Sequence, residues 1–204
     1  MMLNFAELIK KYQIVPRGII QLGVHEFQER DTFLSLGINY FVLIEPQKHI
    51  FDKMVKNAAG LNAICYNCAV SDFTGYTKMI CETVNGSQSS SLLKPKEHLN
   101  EYPYIQFDHE EVVYVERLEF VDFDRTKYNI LVMDLQGNEL QALKGAGNLL
   151  DFIDCIYTEV NFKEMYEGCT LLPDLDSFLK QFNFKRVETG PYNQGWSDAF
   201  YLKG

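Results

Sequence analysis

Apolar positions along the chain fall into two rhythms that take turns. Residues 18–23 (GIIQLG) form a short apolar run closed by glycine, and residues 26–36 follow with Phe27, Phe33, Leu34 and Leu36 on an irregular helical face. This predicts a strand and then a helix. Residues 40–45 (YFVLIE) repeat the pattern with an acid and Pro46 at the end, and residues 47–59 then place Ile50, Phe51, Met54 and Val55 on one side of a helix. Residues 64–70 predict a third strand, residues 130–134 a fourth followed by a helix over 139–150, and residues 155–160 a fifth. Strands apolar on both faces that alternate with amphipathic helices dictate a mostly parallel sheet covered on both sides, so the fold class is α/β. Residues 74–123 break the alternation with two strand-like runs, 77–84 and 112–118, around a polar loop at 87–108. The end of the chain reads as a helix near 175–182 and two short strands, 185–188 and 198–202, joined as a hairpin through a Gly/Pro turn.

Composition narrows this picture. At 204 residues, with 47% hydrophobic and 23% charged side chains, the chain reads as a single domain spanning residues 1–204, with an N-terminal helical extension at 1–17 and an insertion at 74–123. A balance of 19 Lys+Arg against 28 Asp+Glu gives a net charge of −9, the wrong sign for gripping a phosphate backbone, so no nucleic-acid partner is expected. The N-terminus has no signal-peptide pattern and no segment approaches a membrane span, which predicts a cytoplasmic protein with no membrane partner. Five cysteines, an odd number, fit reduced thiols, and Cys65-Tyr66-Asn67-Cys68 lacks the second pair a zinc site needs or the helix start of a redox motif.

Ligands of open α/β sheets bind beyond the carboxyl ends of the strands, so the residues after each strand are the candidates for chemistry. Glu45 ends the second strand about twenty residues past the Gly23 turn, where a carboxylate can accept from both hydroxyls of a ribose. The same carboxylate could instead cap the helix after Pro46. Gly23 stands alone where a dinucleotide fold needs three glycines, and no G-x-x-x-x-G-K-[ST] run exists, so NAD, FAD and P-loop nucleotides are disfavoured. S-adenosyl-L-methionine keeps a ribose and adenine without phosphates and suits such a turn.

Six segments in order, residues 20–25 (IQLGVH), Glu45-Pro46, residues 67–72 (NCAVSD), residues 89–93 (SSSLL), residues 132–146 (VMDLQGNELQALKGA) and Thr158-Glu159-Val160, resemble the FkbM family of S-adenosylmethionine-dependent methyltransferases. The D-x-Q-G-x-E-x-x-x-L-K-G-A segment from Asp134 is the most specific of them. The resemblance implies a Rossmann-like, seven-stranded class I methyltransferase sheet, mostly parallel with an antiparallel last strand. It also implies S-adenosyl-L-methionine as cofactor and O-methylation of a hydroxyl on a small-molecule or carbohydrate acceptor. Residue by residue, it sets Gly23 and His25 beside the cofactor and Glu45 on its ribose. Ser71 and Asp72 would flank the adenine, and the Ser89-Ser90-Ser91 loop would close over the site. Asp134 would face the cofactor's amino group or the acceptor, Gln136 and Gly137 would shape the turn, and Glu159 would face the acceptor. The chain departs from the family pattern at Gln21, where an acid is usual, and at Phe27, where a glycine is usual. Those departures keep open a degenerate fold serving as a binding module.

Methyl transfer to oxygen needs positioned reactants and a base. Asp134, Glu159 and His25 are the candidate catalytic residues, and like charges at neighbouring strand tips would raise the pKa of one carboxyl. Asp134, Glu159, His25 and Asp198 carry oxygen and nitrogen donors but no ligand spacing signature, so no metal is assigned. Phe5, Tyr12, Tyr102, Tyr104, Phe107, Tyr166, Tyr192 and Trp196 are candidates to line an acceptor pocket. Acceptor recognition is expected from residues 1–17, the 87–108 loop and the 190–195 turn, or from a second subunit of a homo-oligomer.

Overall fold

The computed structural model describes residues 2–204. Seven strands form the main sheet: β1 (Ile19–Leu22), β2 (Tyr40–Ile44), β3 (Asn62–Tyr66), β7 (Ile130–Met133), β8 (Cys155–Asn161), β9 (Phe184–Thr189) and β10 (Trp196–Lys203). Their order is β3-β2-β1-β7-β8-β10-β9. All neighbouring pairs from β3 to β8 are parallel, while β10 runs antiparallel to both β8 and β9. The strand order reverses between β1 and β7, which opens a crevice at their carboxyl ends.

The continuous apolar strands serve two cores at once. Ile20, Leu22, Val42, Ile44, Leu131 and Met133 point into one cluster, with Leu149, Leu150, Leu175 and Leu179 from the covering helices. The alternate residues Ile19, Phe41, Leu43, Ile130 and Val132 point into the other, with Phe5, Phe27, Phe33 and Met54. This two-fold alternation is why the strands carry no polar face. The helices are α1 (Phe5–Lys11), α2 (Arg30–Ser35), α3 (Lys48–Asn57), α4 (Glu97–Glu101), α5 (Glu139–Lys144) and α6 (Leu172–Lys180). The predicted 26–36 helix is therefore shorter, because residues 25–29 form turns in which His25 and Phe27 take φ of 54° and 68°. The predicted 139–150 helix breaks after Lys144 and continues as a 3-10 turn over Gly147–Phe152.

A second, three-stranded sheet contains β4 (Ala69–Val70), β5 (Gly75–Glu82) and β6 (Phe107–Glu116), in the order β4-β6-β5. The predicted third strand over 64–70 thus divides between two sheets. Asn67 is the divide: its amide donates to the carbonyls of Glu45 and Pro46, turning the chain out of the main sheet. Among the described residues no helix is long and apolar enough to cross a membrane, and all five cysteines are free.

Candidate active site

A cavity of about 330 Å³ opens at the carboxyl ends of β1, β2 and β7. Its wall includes the carboxylates of Glu29, Glu45, Asp134 and Asp198, and no lysine or arginine. Such a wall repels phosphates and attracts a cation. Its floor is the turn after β1, where Gly23 has φ of 71° and donates its N–H to the Ile44 carbonyl at 3.0 Å. A Cβ at this position would lie 1.9 Å from the Asp134 carbonyl oxygen, so only glycine lets the tips of β1 and β7 close together.

Glu45 is buried and accepts from two backbone donors, the N–H of His25 at 2.9 Å on Oε2 and the N–H of Gln47 at 3.0 Å on Oε1. Burial pushes its carboxyl above the usual range, and these hydrogen bonds pull it back. Each oxygen keeps a lone pair for a ligand hydroxyl, so helix capping and diol binding are compatible roles of one side chain. Two buried polar atoms on the same wall have no partner, Gln47 Nε2 and Gln21 Oε1. A buried donor and a buried acceptor left open in a cavity are the signature of groups that a polar ligand satisfies.

A second cavity, of about 230 Å³, lies beside the first. The two share Gln88, Asp134 and Gln136. At this junction the Gln136 amide nitrogen donates to Asp134 at 2.7 Å and lies 3.1 Å from Glu159 Oε2, bridging the two carboxyls. The buried Tyr166 hydroxyl lies 2.7 Å from Gln136 Oε1 and 2.9 Å from the Ser89 carbonyl, so it anchors this side chain to the loop above it. Asp134 opens onto both cavities, and the partial loss of bulk water there, opposed by the Gln136 donor and helped by the nearby Asp198 charge, pushes its carboxyl up to about 6. Burial, and then the Asp134 charge, raise Glu159 well above the ordinary carboxylate range. Glu139 has a structural role in the same turn. Its buried carboxylate accepts from the N–H groups of Leu135 and Gly137 and holds the backbone that carries Gln136, whose φ is 51°.

The model of the methyltransferase FkbM domain matches residues 21–186. The chain belongs to the FkbM methyltransferase family. Over 173 residues, 80% of this chain and 71% of the relative, it is 26% identical to the 2-O-methyltransferase NoeI of Sinorhizobium fredii. Among solved structures it is similar to the magnesium protoporphyrin IX methyltransferase of Synechocystis with bound S-adenosylmethionine. That likeness has a TM-score of 0.55 and 9% identity, covering 98% of this chain and 76% of that one. It is also similar to a putative tRNA (m1A22) methyltransferase of Streptococcus pneumoniae in complex with S-adenosyl-L-methionine, with a TM-score of 0.54 and 12% identity, covering 100% and 74%. The chain has the class I methyltransferase fold, and S-adenosylmethionine is its cofactor. The first cavity fits that group on its own chemistry: an acidic wall for a sulfonium and an ammonium, a Glu45 carboxylate for a diol, and unpaired amide atoms of Gln21 and Gln47 for further polar contacts.

Within this FkbM domain the predicted residues are placed as follows. Gly23, His25, Glu45, Ser91, Asp134 and Gln136 line the first cavity. Glu159 lines the second. Both ring nitrogens of His25 are engaged, Nε2 donating to the Gly86 carbonyl at 2.7 Å and Nδ1 accepting from Gln28 at 2.7 Å, so it ties the 83–91 loop down and has no nitrogen free to act as a base. Ser91 does similar work by donating to the Gln136 carbonyl at 2.8 Å. Ser71 and Asp72 stand off the cavity wall: the Ser71 carbonyl seats against Gly145, and Asp72 is exposed. Their neighbours Cys68, Ala69 and Val70 line it instead, because Asn138 donates to the Val70 carbonyl at 2.9 Å and draws that strand inward.

Phe27 occupies the position where the family pattern has glycine and keeps a glycine-like φ of 68°. Its ring is buried away from the cavity, edge-on to Phe41 with centroids 5.5 Å apart. Gln21 takes the place of the usual acid and remains on the cavity wall, with Nε2 donating to Glu29 at 3.1 Å. Of the aromatic candidates, Tyr102, Tyr104, Tyr166 and Trp196 line the second cavity. Phe5 and Tyr12 pack in the core, Phe107 backs His98, and Tyr192 stacks on Phe162. His98 and Asn193 on that wall, and Gln47 on the other, escaped sequence reasoning because nothing local distinguishes them from solvated loop residues. Residues 2–17 line neither cavity.

Proposed function

We propose that the chain transfers a methyl group from S-adenosylmethionine to a hydroxyl of a small-molecule or carbohydrate acceptor. One observation carries this reading: an acidic cavity and an aromatic cavity meet at a bridged pair of carboxyls, Asp134 and Glu159. When bound, the cofactor supplies an electrophilic methyl on its sulfonium. Two carboxyls joined by one amide do not both ionise freely, and Glu159, buried among other acids, holds its proton more tightly than Asp134, which is the more readily ionised of the two. Asp134 then takes the hydroxyl proton as the oxygen attacks, and Gln136 holds both carboxyls in place. Tyr102, Tyr104 and Trp196 offer flat apolar faces with polar edges, which suit a hydroxylated ring. The NoeI likeness supports oxygen as the methylated atom.

The experiment is methyl transfer from labelled cofactor to a panel of sugars, phenols and aliphatic alcohols, with products located by mass spectrometry. Methyl ethers are expected. Binding of S-adenosylhomocysteine with methylation found only on nitrogen or carbon would overturn the oxygen acceptor, and no binding by the folded chain would overturn the enzyme. A non-catalytic module finds no support in Phe27, whose ring does not enter the cavity. Free cysteines and a cavity wall without basic residues favour a cytoplasmic enzyme that does not act on nucleic acid.

A further inference from the structure

The small sheet brings together a thiol, an imidazole and a carboxylate that the methyl-transfer site does not use. Antiparallel pairing of β5 with β6 sets Cys81 opposite His109 and Met79 opposite Glu111, so the alternation of side chains puts Cys81, His109 and Glu111 on one face. Their ligand atoms all lie within 4.8 Å of one another. We propose that Cys81, His109 and Glu111 form a binding site for a zinc-class divalent metal ion, with His49 of α3, which stands outside that cluster, turning in to the fourth position.

The geometry is close to what such an ion requires. Bonds of about 2.0 to 2.3 Å in a tetrahedron place ligand atoms roughly 3.3 to 3.7 Å apart. His109 Nε2 and Glu111 Oε1 already stand 3.4 Å apart, and His49 Nδ1 is 3.9 Å from the same oxygen. The other nitrogen of His109 faces Asp108 at 2.6 Å, the outer carboxylate that fixes the tautomer and orientation of metal-binding histidines. Cys81 is fully buried and its thiol is directed at the Met79 carbonyl, 3.5 Å away, so it closes the site from inside while the two histidines and Glu111 leave an approach from solvent. Mixed sulfur, nitrogen and oxygen donors favour zinc over magnesium or calcium. On binding, the thiol proton and the proton that His109 Nε2 holds towards Glu111 leave to solvent, and the thiolate and Glu111 together neutralise the ion.

The consequence reaches the cofactor cavity. His49 Nε2 is 3.4 Å from Ser87 Oγ, and Ser87, Gln88 and Ser90 form part of the cavity wall. A metal bound here would clamp the small sheet to α3 beneath the 83–91 loop.

The test is titration of the metal-free, full-length chain with Co²⁺ and then Zn²⁺. One ion per chain and a sulfur-to-cobalt charge-transfer band are expected, with the band absent in Cys81→Ser and zinc affinity at least about tenfold weaker in His109→Ala. Asp108→Asn, which leaves all ligands present, should weaken zinc by about tenfold. Circular dichroism establishes that each variant is folded. No uptake by the folded parent chain, a band that survives Cys81→Ser through Cys65 or Cys68, or zinc affinity unmoved by His109→Ala would each overturn the site and leave a hydrogen-bonded ion cluster.

Discussion

The two cavities of this enzyme are walled by different kinds of structure. Strand tips build the first cavity, the proposed cofactor side: Gly23 after β1, Glu45 after β2 and Asp134 after β7, each fixed by the register of a parallel sheet. Loops build most of the second cavity, the proposed acceptor side: Asn85, His98, Tyr102 and Tyr104 come from the 83–106 connection, Asn193 from the turn before β10 and Trp196 from the first position of β10. Side chains on strand tips are positioned by backbone pairing that the cores on both faces enforce, so their geometry tolerates little change. Loop side chains are positioned mainly by one another, as in the Trp196 indole donating to the Tyr102 hydroxyl at 2.8 Å. A scaffold of this kind keeps one cofactor while its acceptor wall is free to vary.

The sharpest break between the two sides should come from the residue they share. Asp134→Asn should lower methyl transfer by roughly two to three orders of magnitude by removing the base, with S-adenosylhomocysteine still bound in a calorimetric titration. Equal loss of binding and turnover would instead place Asp134 on the cofactor side alone.

Next come two substitutions on the cofactor side, matched as opposites. Gly23→Ala sets a Cβ against the Asp134 carbonyl at a φ of 71° and should cost about 3 kcal/mol of stability, and S-adenosylhomocysteine binding should be lost in the same denaturation and titration series. Phe27→Gly removes a ring from the Phe33–Phe41 cluster and should cost a similar amount, about 3 kcal/mol. Its binding should survive, since that ring is not on the wall. If Phe27→Gly strengthens binding markedly, the departure from the family pattern matters to the site after all.

These contrasts mirror what could be read from the sequence. The β1, β2 and β7 tips were legible because continuous apolar runs end abruptly in Gly23, Glu45 and Asp134, and a run apolar on both faces belongs in a sheet covered on both sides. The division of residues 64–70 between two sheets was not legible. It depends on β4 pairing with β6, where Ala69 meets Val115, and on the Asn67 amide turning the chain away. No local periodicity encodes a partner so distant in sequence. Ser71 and Asp72 stand off the cavity wall for the same reason, their position following from that pairing. On the acceptor side the 87–108 loop and the 190–195 turn were recognised as segments, but α4 and the buried His98 within the loop depend on its docking against Met165 and Tyr166.

On the acceptor side, Trp196→Ala should raise the acceptor KM by about tenfold, equivalent to about 1.4 kcal/mol, and leave cofactor affinity unchanged. Steady-state kinetics with each substrate varied in turn would show the split.

The smallest effect concerns the hinge between the two sides. Activity should climb with pH through about 6 as Asp134 loses its proton. The same elevated carboxyl acts on stability with the opposite sense. Between its ordinary value of 3.8 and about 6 the folded state holds a proton that the unfolded chain has released, so this contribution supports folding at low pH and is lost as pH rises through about 6. Tyr166→Phe sharpens both statements. Without the hydroxyl at 2.7 Å, the Gln136 oxygen loses a contact that orients the amide, and its N–H group is held less firmly on Asp134. Ionised Asp134 is then less favoured by that donor, and its pKa rises. The rate profile should move to higher pH while the plateau changes by less than about tenfold, and stability should fall by about 1 kcal/mol for the lost contacts of the hydroxyl with Gln136 and the Ser89 carbonyl. A profile that stays in place in Tyr166→Phe would show that Gln136 is held by the Glu139-bound turn alone, and that the two cavities are joined by backbone and not by this chain of side chains.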